Sequence, residues 1–264
     1  MKLERLERMF GALGTSTSRG VEYMGGVCTM ALRTIGRCFR GRFPFAATVY
    51  QMEQLGLKSV PIAVMTAVSV GAVMALQFAY GLARFGGKPY VGPVVAVAIV
   101  RELGPVLTAL MVGGRIGSGM AAELGSMRVT EQIDAIHALG ADPVRKLIIP
   151  RVIATTLVLP MLVVLADVLG ILGGLAISLL ELDTSATYYM NAVLQAVQIE
   201  DFVSGVGKSV FFAFFIAVIA CYEGFQTRGG TEGVGQATTR TVVLTSTLVL
   251  LSDFVLTKLF LLLG

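Results

Sequence analysis

Long apolar runs separated by short polar segments dominate the pattern of this chain. Five runs reach the roughly 20 residues that a helix needs to cross a bilayer, and they lie at about residues 60–80, 91–111, 152–180, 203–222 and 242–263. Extended strands cross lipid only as a closed barrel, and these runs are too long and too uniformly apolar for barrel strands. The pattern therefore predicts an all-α integral membrane protein with five transmembrane helices.

A different pattern precedes the first span. Within residues 21–40, apolar and polar positions separate onto two faces of a helix, with Met24, Cys28, Ala31, Ile35 and Cys38 on one and Thr29, Arg33, Arg37 and Arg40 on the other. This fits an amphipathic helix in the membrane interface, with arginines toward lipid phosphates. The alternative is a solvated helix packed on its own protein. A second short amphipathic stretch, Phe43–Leu57, leads into the first span.

We therefore divide the chain into an N-terminal cytoplasmic or interfacial region, residues 1–58, and a membrane domain, residues 59–264. Composition supports the membrane assignment. The 264 residues are 55% hydrophobic and 14% charged, with a mean hydropathy of +0.79, whereas a soluble domain is about a quarter charged. Too little polar surface is left to cover a globule in water.

The basic residues indicate orientation rather than nucleic-acid binding. Of the 21 Lys and Arg, nine precede residue 59 and five lie in 115–151, beside apolar spans, where such residues mark cytoplasmic segments. The segment 181–201 has four acids and no Lys or Arg. We expect a cytoplasmic N-terminus, a cytoplasmic loop at about 112–151 and a periplasmic C-terminus, although Arg84 and Lys88 fall on the outer side.

Charged residues inside the spans are the first candidates for function. Each costs at least about 2.5–3.5 kcal/mol at mid-bilayer, so it normally faces a cavity or a partner. Four meet this description, Arg101, Glu102, Lys208 and Asp253, and Gln77 is the most polar residue of the first span. Arg101 or Lys208 could bind a phosphate, and the paired donors of an arginine guanidinium suit a phosphate better than a lysine ammonium does. Alternatively, these charges neutralise each other and hold helices together. We expect Asp167 to be structural.

The loop at 112–151 contains a predicted short helix of two to three turns. Thr130 is the predicted N-cap, and the acids Glu131 and Asp134 lie in the first turn. Ile133, Ile136 and Leu139 form an apolar face. Gly140 and Pro143 end the helix. A helix held between two spans can dock into a groove of a soluble partner and transmit its motion. It can equally be a capped loop helix without a partner.

No metal or cofactor is expected. The three cysteines are far apart, and the single histidine, His137, excludes a His-rich metal site. Residues 204–209, SGVGKS, resemble a phosphate-binding loop, but Phe202 occupies the position of the required first glycine. The segment therefore predicts no ATP-binding site in this chain.

Three segments carry a family resemblance. The block RELGPVLTALMVGGRIGSGMAAELGSMRVTEQIDAIHALGADPVRKLIIPRVIA, residues 101–154, resembles the signature of the MlaE/YrbE permease family. GGTEGVGQATTRTVV, residues 229–243, and DFVLT, residues 253–257, resemble two further family blocks. The resemblance covers the chain from about residue 55 to its end.

This resemblance implies the permease subunit of an ABC-type lipid transporter in the bacterial inner membrane. It implies a homodimer with two ATP-binding subunits below and a hexameric MCE-domain protein above, in the periplasm. The cargo would be a glycerophospholipid moved between inner and outer membranes. The implied coupling helix docks on the ATPase through Glu131, Gln132, Ile133, Asp134, Ile136 and His137. The intramembrane charges would line the central cavity.

Two other functions remain open at this point. The chain could be a structural membrane anchor for an MCE assembly, with no lipid path of its own. It could also be a membrane-embedded enzyme that modifies lipids, but its single histidine and scattered acids form no coherent acid–base set.

Overall fold

The fold is known from a computed structural model that describes the backbone of residues 2–38 and 44–263, and the side chains of residues 18, 20–38, 44–260 and 262. The described residues form ten consecutive α-helices and no strand. They are α1 (Lys2–Cys38), α2 (Phe45–Gly56), α3 (Val60–Ala83), α4 (Val91–Ala98), α5 (Gly104–Val129), α6 (Gln132–Ala138), α7 (Ile149–Glu181), α8 (Ala186–Ala196), α9 (Ile199–Phe225) and α10 (Gly230–Leu263).

Short irregular helical turns join several of these helices into longer rods. A 3₁₀ turn, Leu57–Ser59, connects α2 to α3, and a π-helical turn, Ile99–Leu103, connects α4 to α5. A second π turn, Val144–Ile148, leads into α7. Five of the resulting helical segments are long and apolar enough to cross a membrane, which confirms the predicted all-α membrane fold with five spans.

The helices extend further than the apolar pattern indicated. The second span continues as α5 to Val129, so the predicted loop at 112–151 is mostly helical, and only residues 130–143 separate the long helices around α6. Pro160 does not interrupt the third span, because α7 runs through it. The segment 181–201 contains α8, which the sequence did not predict.

Helices α5, α7 and α9 pack against one another in the middle of the bundle, where Ile116, Leu159 and Phe212 are almost fully buried. Helix α3 packs mainly on α7, and α10 packs on α5 and α9. In the most apolar stretch of each span, 28% of the residues of the first span and 11% of those of the fifth are buried, against 44–50% in the other three. The first and fifth spans therefore have the fewest buried residues.

Glycine allows α3 and α7 to touch backbone to backbone. A Cβ atom added at Gly71 would lie 1.8 Å from the carbonyl oxygen of Gly170, and one added at Gly173 would lie 2.4 Å from that of Val68. Small residues at helix crossings in membranes permit this close approach. Gly170 and Gly174, four residues apart on α7, both face Gly71 of α3 at this crossing.

We expect Gly71→Ala to destabilise the protein by about 1–3 kcal/mol, because the clash is with backbone and cannot be relieved by a side-chain rotation. The chain has no tryptophan, but Cys221 is fully buried. With Cys28 and Cys38 replaced by serine, a thiol-reactive dye reports thermal unfolding through Cys221. Gly81→Ala is the control, because no atom lies within 4 Å of a Cβ there. Equal unfolding temperatures for both variants would contradict this packing.

Helix α1 begins at Lys2, well before the predicted residue 21. Its packed face centres on Val27 and Thr34, and a Cβ at Gly26 would lie 2.2 Å from the Tyr222 hydroxyl. Beside this face an apolar stripe stays exposed: Val21, Met24, Leu32 and Ile35 are 45–70% exposed. Arg40 and Phe43, assigned to the amphipathic stretches, lie outside the described residues.

Candidate functional site

The segment that carries Arg101 and Glu102 departs from regular α-helix. Both residues lie in the π turn Ile99–Leu103, and Pro105 follows at the second position of α5. Proline has no N–H to donate to the carbonyl four residues earlier, which is that of Arg101. Lys208 Nζ donates to this carbonyl at 3.1 Å. A side chain from α9 thereby stabilises an irregular backbone inside a span, a position where π turns often mark function.

A glycine brings α9 close enough for this contact. A Cβ at Gly205 would lie 2.2 Å from the carbonyl oxygen of Val100. Gly205 and Lys208 are three residues apart and share one face of the helix. Lys208 lies nine residues, about 14 Å, into α9. The cluster around it is therefore inside the span, toward the end of the bundle that carries α8.

Lys208 has all three of its protons engaged. Besides the Arg101 carbonyl, its ammonium donates to Glu102 Oε2 at 2.7 Å and to Thr257 Oγ1 at 2.7 Å, and Asp253 Oδ1 lies 3.3 Å away. Its side chain is only 1% exposed. An ammonium has three donors and no acceptor, so Lys208 has no free donor for a ligand phosphate. The structure places it as the centre of a polar junction between the second, fourth and fifth spans.

The acids of this junction are more accessible than its lysine. The Glu102 side chain is 38% exposed and that of Asp253 22%. Thr257 accepts from Lys208 and donates to Glu102, with 3.1 Å to Oε1. Two carboxyl groups thus lie at one ammonium, and both are more accessible than the ammonium.

Arg101 belongs to a second ion pair beside the first. Its Nε donates to Asp201 Oδ1, and Asp201 also caps α9, because its Oδ2 accepts from the backbone N–H of Gln198 at 2.9 Å. The structure therefore brings Arg101, Glu102, Lys208 and Asp253 together and adds Asp201 and Thr257, which sequence reasoning did not select. Asp201 was counted only among the four acids of the segment 181–201. The sequence signal that could have found it is the capping-box pattern of Gln198 and Asp201 at the start of a span.

Two other polar residues lie apart from this cluster. Gln77 is exposed on α3, a helix that packs mainly on α7, and it is not a hydrogen-bond partner of the cluster. Asp167 is 4% exposed on α7, and its Oδ1 lies against Gly104, where a Cβ would be 1.8 Å away.

The short helix α6 forms where it was predicted, but its start differs. The N-cap is Glu131, in a left-handed conformation with φ 59°, whereas Thr130 ends α5 and donates to the carbonyl of Ser126 at 2.8 Å. The assignment of Thr130 as N-cap was wrong, because its hydroxyl bonds back into α5. At the other end Gly140 has φ 75° and ends the helix as predicted.

The candidate coupling residues divide between two sides of α6. Ile133 is 4% exposed and Ile136 half-buried against the bundle core. Four candidates face outward: Glu131, Gln132, Asp134 and His137. Leu139, predicted to share the apolar face with Ile133 and Ile136, is 85% exposed. An ion pair between Arg128 and Asp134 connects α6 to α5.

Comparison with known proteins agrees with this architecture. The family described as Permease MlaE matches residues 48–259. A probable ABC transporter permease protein of Rickettsia bellii is 39% identical over 94% of this chain and 96% of its own length. The intermembrane phospholipid transport system permease protein MlaE of Haemophilus influenzae is 37% identical over 81% of this chain and 82% of its own. The chloroplastic protein TRIGALACTOSYLDIACYLGLYCEROL 1 of Arabidopsis thaliana is 38% identical over 88% of this chain and 66% of its own length.

The family match spans most of the chain and includes the π turn, the polar junction and α6. The matched residues contain the helices of all five spans apart from their outermost residues. This chain is an ABC transporter permease of the MlaE family.

Proposed function

We propose that this chain is the permease subunit that moves glycerophospholipids between the inner and outer membranes of a bacterium, driven by a separate ATPase. The observation that carries the proposal is the half-exposed guanidinium of Arg101 beside the accessible carboxyl groups of Glu102 and Asp253. These groups lie inside the spans, where a charge is otherwise costly. The Arg101 side chain is 44% exposed. A lipid headgroup needs such polar partners, while its acyl chains need apolar walls. The name of the Haemophilus relative, which refers to intermembrane phospholipid transport, supports the substrate class.

Within this site we assign the phosphate to Arg101. Its Nη groups have no acceptor among the described residues, and a guanidinium binds phosphate through paired donors. Lys208 instead fixes the geometry of the path, since its donors are all engaged. Glu102 and Asp253 provide the negative side of the path, facing positively charged headgroup atoms.

We propose that two copies of the chain form the transporter. The first and fifth spans are the least buried, at 28% and 11%, and a second copy is the partner that would cover apolar surface of this length in a transporter of this family. Gln77 is exposed on the first span, and we place it in the lipid path between the two copies.

We propose that α6 is the coupling helix on a cytoplasmic ATP-binding subunit, with two such subunits per transporter. The outward side of α6 and exposed Leu139 form the contact, and the Arg128–Asp134 pair transmits it to α5. The opposite end, which carries α8, faces a hexameric MCE-domain protein in the periplasm. The Lys and Arg bias of the sequence supports this orientation.

Leu139→Ser is expected to reduce co-purification of the ATPase at least about tenfold while leaving the unfolding temperature unchanged, because an exposed apolar anchor contributes to binding and not to the core. Leu57→Ser is the control, since Leu57 is also highly exposed, at 68%, but lies far from α6 in the chain. Normal recovery of the ATPase with Leu139→Ser would contradict the assignment of α6.

The proposed function as a whole is tested by reconstituting the purified complex in donor vesicles with labelled phospholipid. We expect transfer to acceptor MCE protein that requires ATP hydrolysis and stops with a non-hydrolysable analogue. A complex that assembles fully but transfers no lipid would instead identify the chain as a structural anchor.

A further inference from the structure

The two members of the Arg101–Asp201 pair differ sharply in exposure and in the number of their hydrogen-bond partners. Asp201 is 2% exposed, and both of its oxygens are engaged, one by Arg101 and one by the backbone N–H of Gln198. The Gln198 side chain in turn accepts from the backbone N–H of Asp201, which completes a capping box. Asp201 is therefore fixed to the first turn of α9. Arg101 is 44% exposed and is held to Asp201 through Nε alone among the described residues.

An arginine that already has an anionic partner attracts a second anion less strongly than an unpaired one. In a membrane interior of low dielectric constant this difference is large, because charge interactions are screened little. A transport site must bind its cargo strongly enough to take it up and weakly enough to let it go. A buried carboxylate beside a half-exposed guanidinium meets both requirements, since the carboxylate competes with the cargo for the same donors.

We propose that Asp201 is the resident counter-ion of Arg101, which holds the guanidinium when no lipid is bound, yields it to the lipid phosphate and takes it back when the lipid leaves. This inference rests on the proposed function of Arg101. It assigns Asp201 as a positioning residue that sets the affinity and release of the phosphate. Lys208 cannot take this part, because its side chain is 1% exposed and its donors are engaged.

Asp201→Asn separates this role from helix capping. The asparagine side-chain oxygen can still accept from the Gln198 N–H, but the negative charge opposite Arg101 is lost. The experiment uses the complete complex with its ATPase in mixed micelles that contain an increasing fraction of dioleoylphosphatidylethanolamine. The rate of ATP hydrolysis is measured at each lipid fraction, and lipid transfer is measured in parallel. We expect the half-saturating lipid fraction to fall about tenfold, the order of one competing charge-assisted hydrogen bond. The maximal transfer rate falls with it, because release becomes slow.

A merely structural role of Asp201 would produce the opposite sign, a higher half-saturating lipid fraction together with a lower unfolding temperature. Glu200→Gln is the matched control, because Glu200 is the neighbouring acid in the same first turn and is exposed. We expect it to change neither the affinity nor the maximal rate.

The same titration with Arg101→Gln and with the Arg101→Gln/Asp201→Asn double variant decides the outcome. Asp201→Asn should tighten lipid binding only when Arg101 is present. If Arg101→Gln weakens binding but Asp201→Asn does not tighten it, the counter-ion role is wrong and the lipid path stands. If neither substitution changes the lipid dependence, both the counter-ion role and the assignment of Arg101 to the lipid path are wrong.

Discussion

Replacing Lys208 with methionine is expected to destabilise the protein by about 3–5 kcal/mol, the usual cost of removing one partner from a buried ion pair. Methionine keeps the length of the side chain but removes three hydrogen bonds. Glu102 and Asp253 are then left without their shared cation, and the Arg101 carbonyl loses the donor that Pro105 cannot supply. The Cys221 dye assay should show a markedly lower unfolding temperature and little assembled complex.

A triple variant with Lys208→Met, Glu102→Gln and Asp253→Asn tests the cause of this loss. Replacing a whole buried ion pair by neutral groups is often close to neutral for stability, whereas removing one partner is not. We expect the triple variant to regain most of the unfolding temperature and to remain inactive in lipid transfer. A single Lys208→Met variant that unfolds at the wild-type temperature would show that the junction does not hold the three spans together.

Arg101→Gln is expected to lower the rate of lipid transfer roughly ten- to a hundredfold, which corresponds to losing one charge-assisted contact to phosphate. Stability should fall as well, because Asp201, with a side chain only 2% exposed, is left without its cation, so transfer is compared per amount of assembled complex. Stimulation of the ATPase by lipid should be lost in the same variant, while ATP hydrolysis without lipid persists. The measurement is ATP-driven transfer of labelled phospholipid by the reconstituted complex.

Arg84→Gln provides the control for this prediction. Arg84 is exposed at the end of α3 and outside the polar junction, so its loss should not affect transfer. An equal effect of both substitutions would indicate a general dependence on positive charge and would remove Arg101 from the lipid path.

The number and type of spans followed from the sequence because five apolar runs have the length of a bilayer-crossing helix. Their ends did not follow, because a helix can continue past the lipid with small and polar residues that resemble a loop. The stretch from Gly113 to Ser126 is of this kind and forms the second half of α5. Helix α8 was missed because its buried side is narrow, with Tyr189 and Val193 as its buried residues.

The candidate site was predictable as a set of residues but not as an arrangement. A charge inside a span is conspicuous in a sequence, so Arg101, Glu102, Lys208 and Asp253 were all selected. The partner of each depends on the rotation and depth of helices far apart in the chain, as in the pair of Arg101 and Asp201, 100 residues apart. Thr257 gives no sequence signal, because hydroxyl residues in spans often bond their own helix.

The most direct test of the central claim is to find where a lipid headgroup binds. A phosphatidylethanolamine with a photoactivatable diazirine in its headgroup is crosslinked in the complete complex and the labelled peptides are identified by mass spectrometry. The account predicts labelling of the peptides that contain Glu102 and Asp253, reduced by unlabelled lipid and by Arg101→Gln. Labelling confined to α1 and α2, with these peptides unlabelled, would contradict a lipid path through the polar junction.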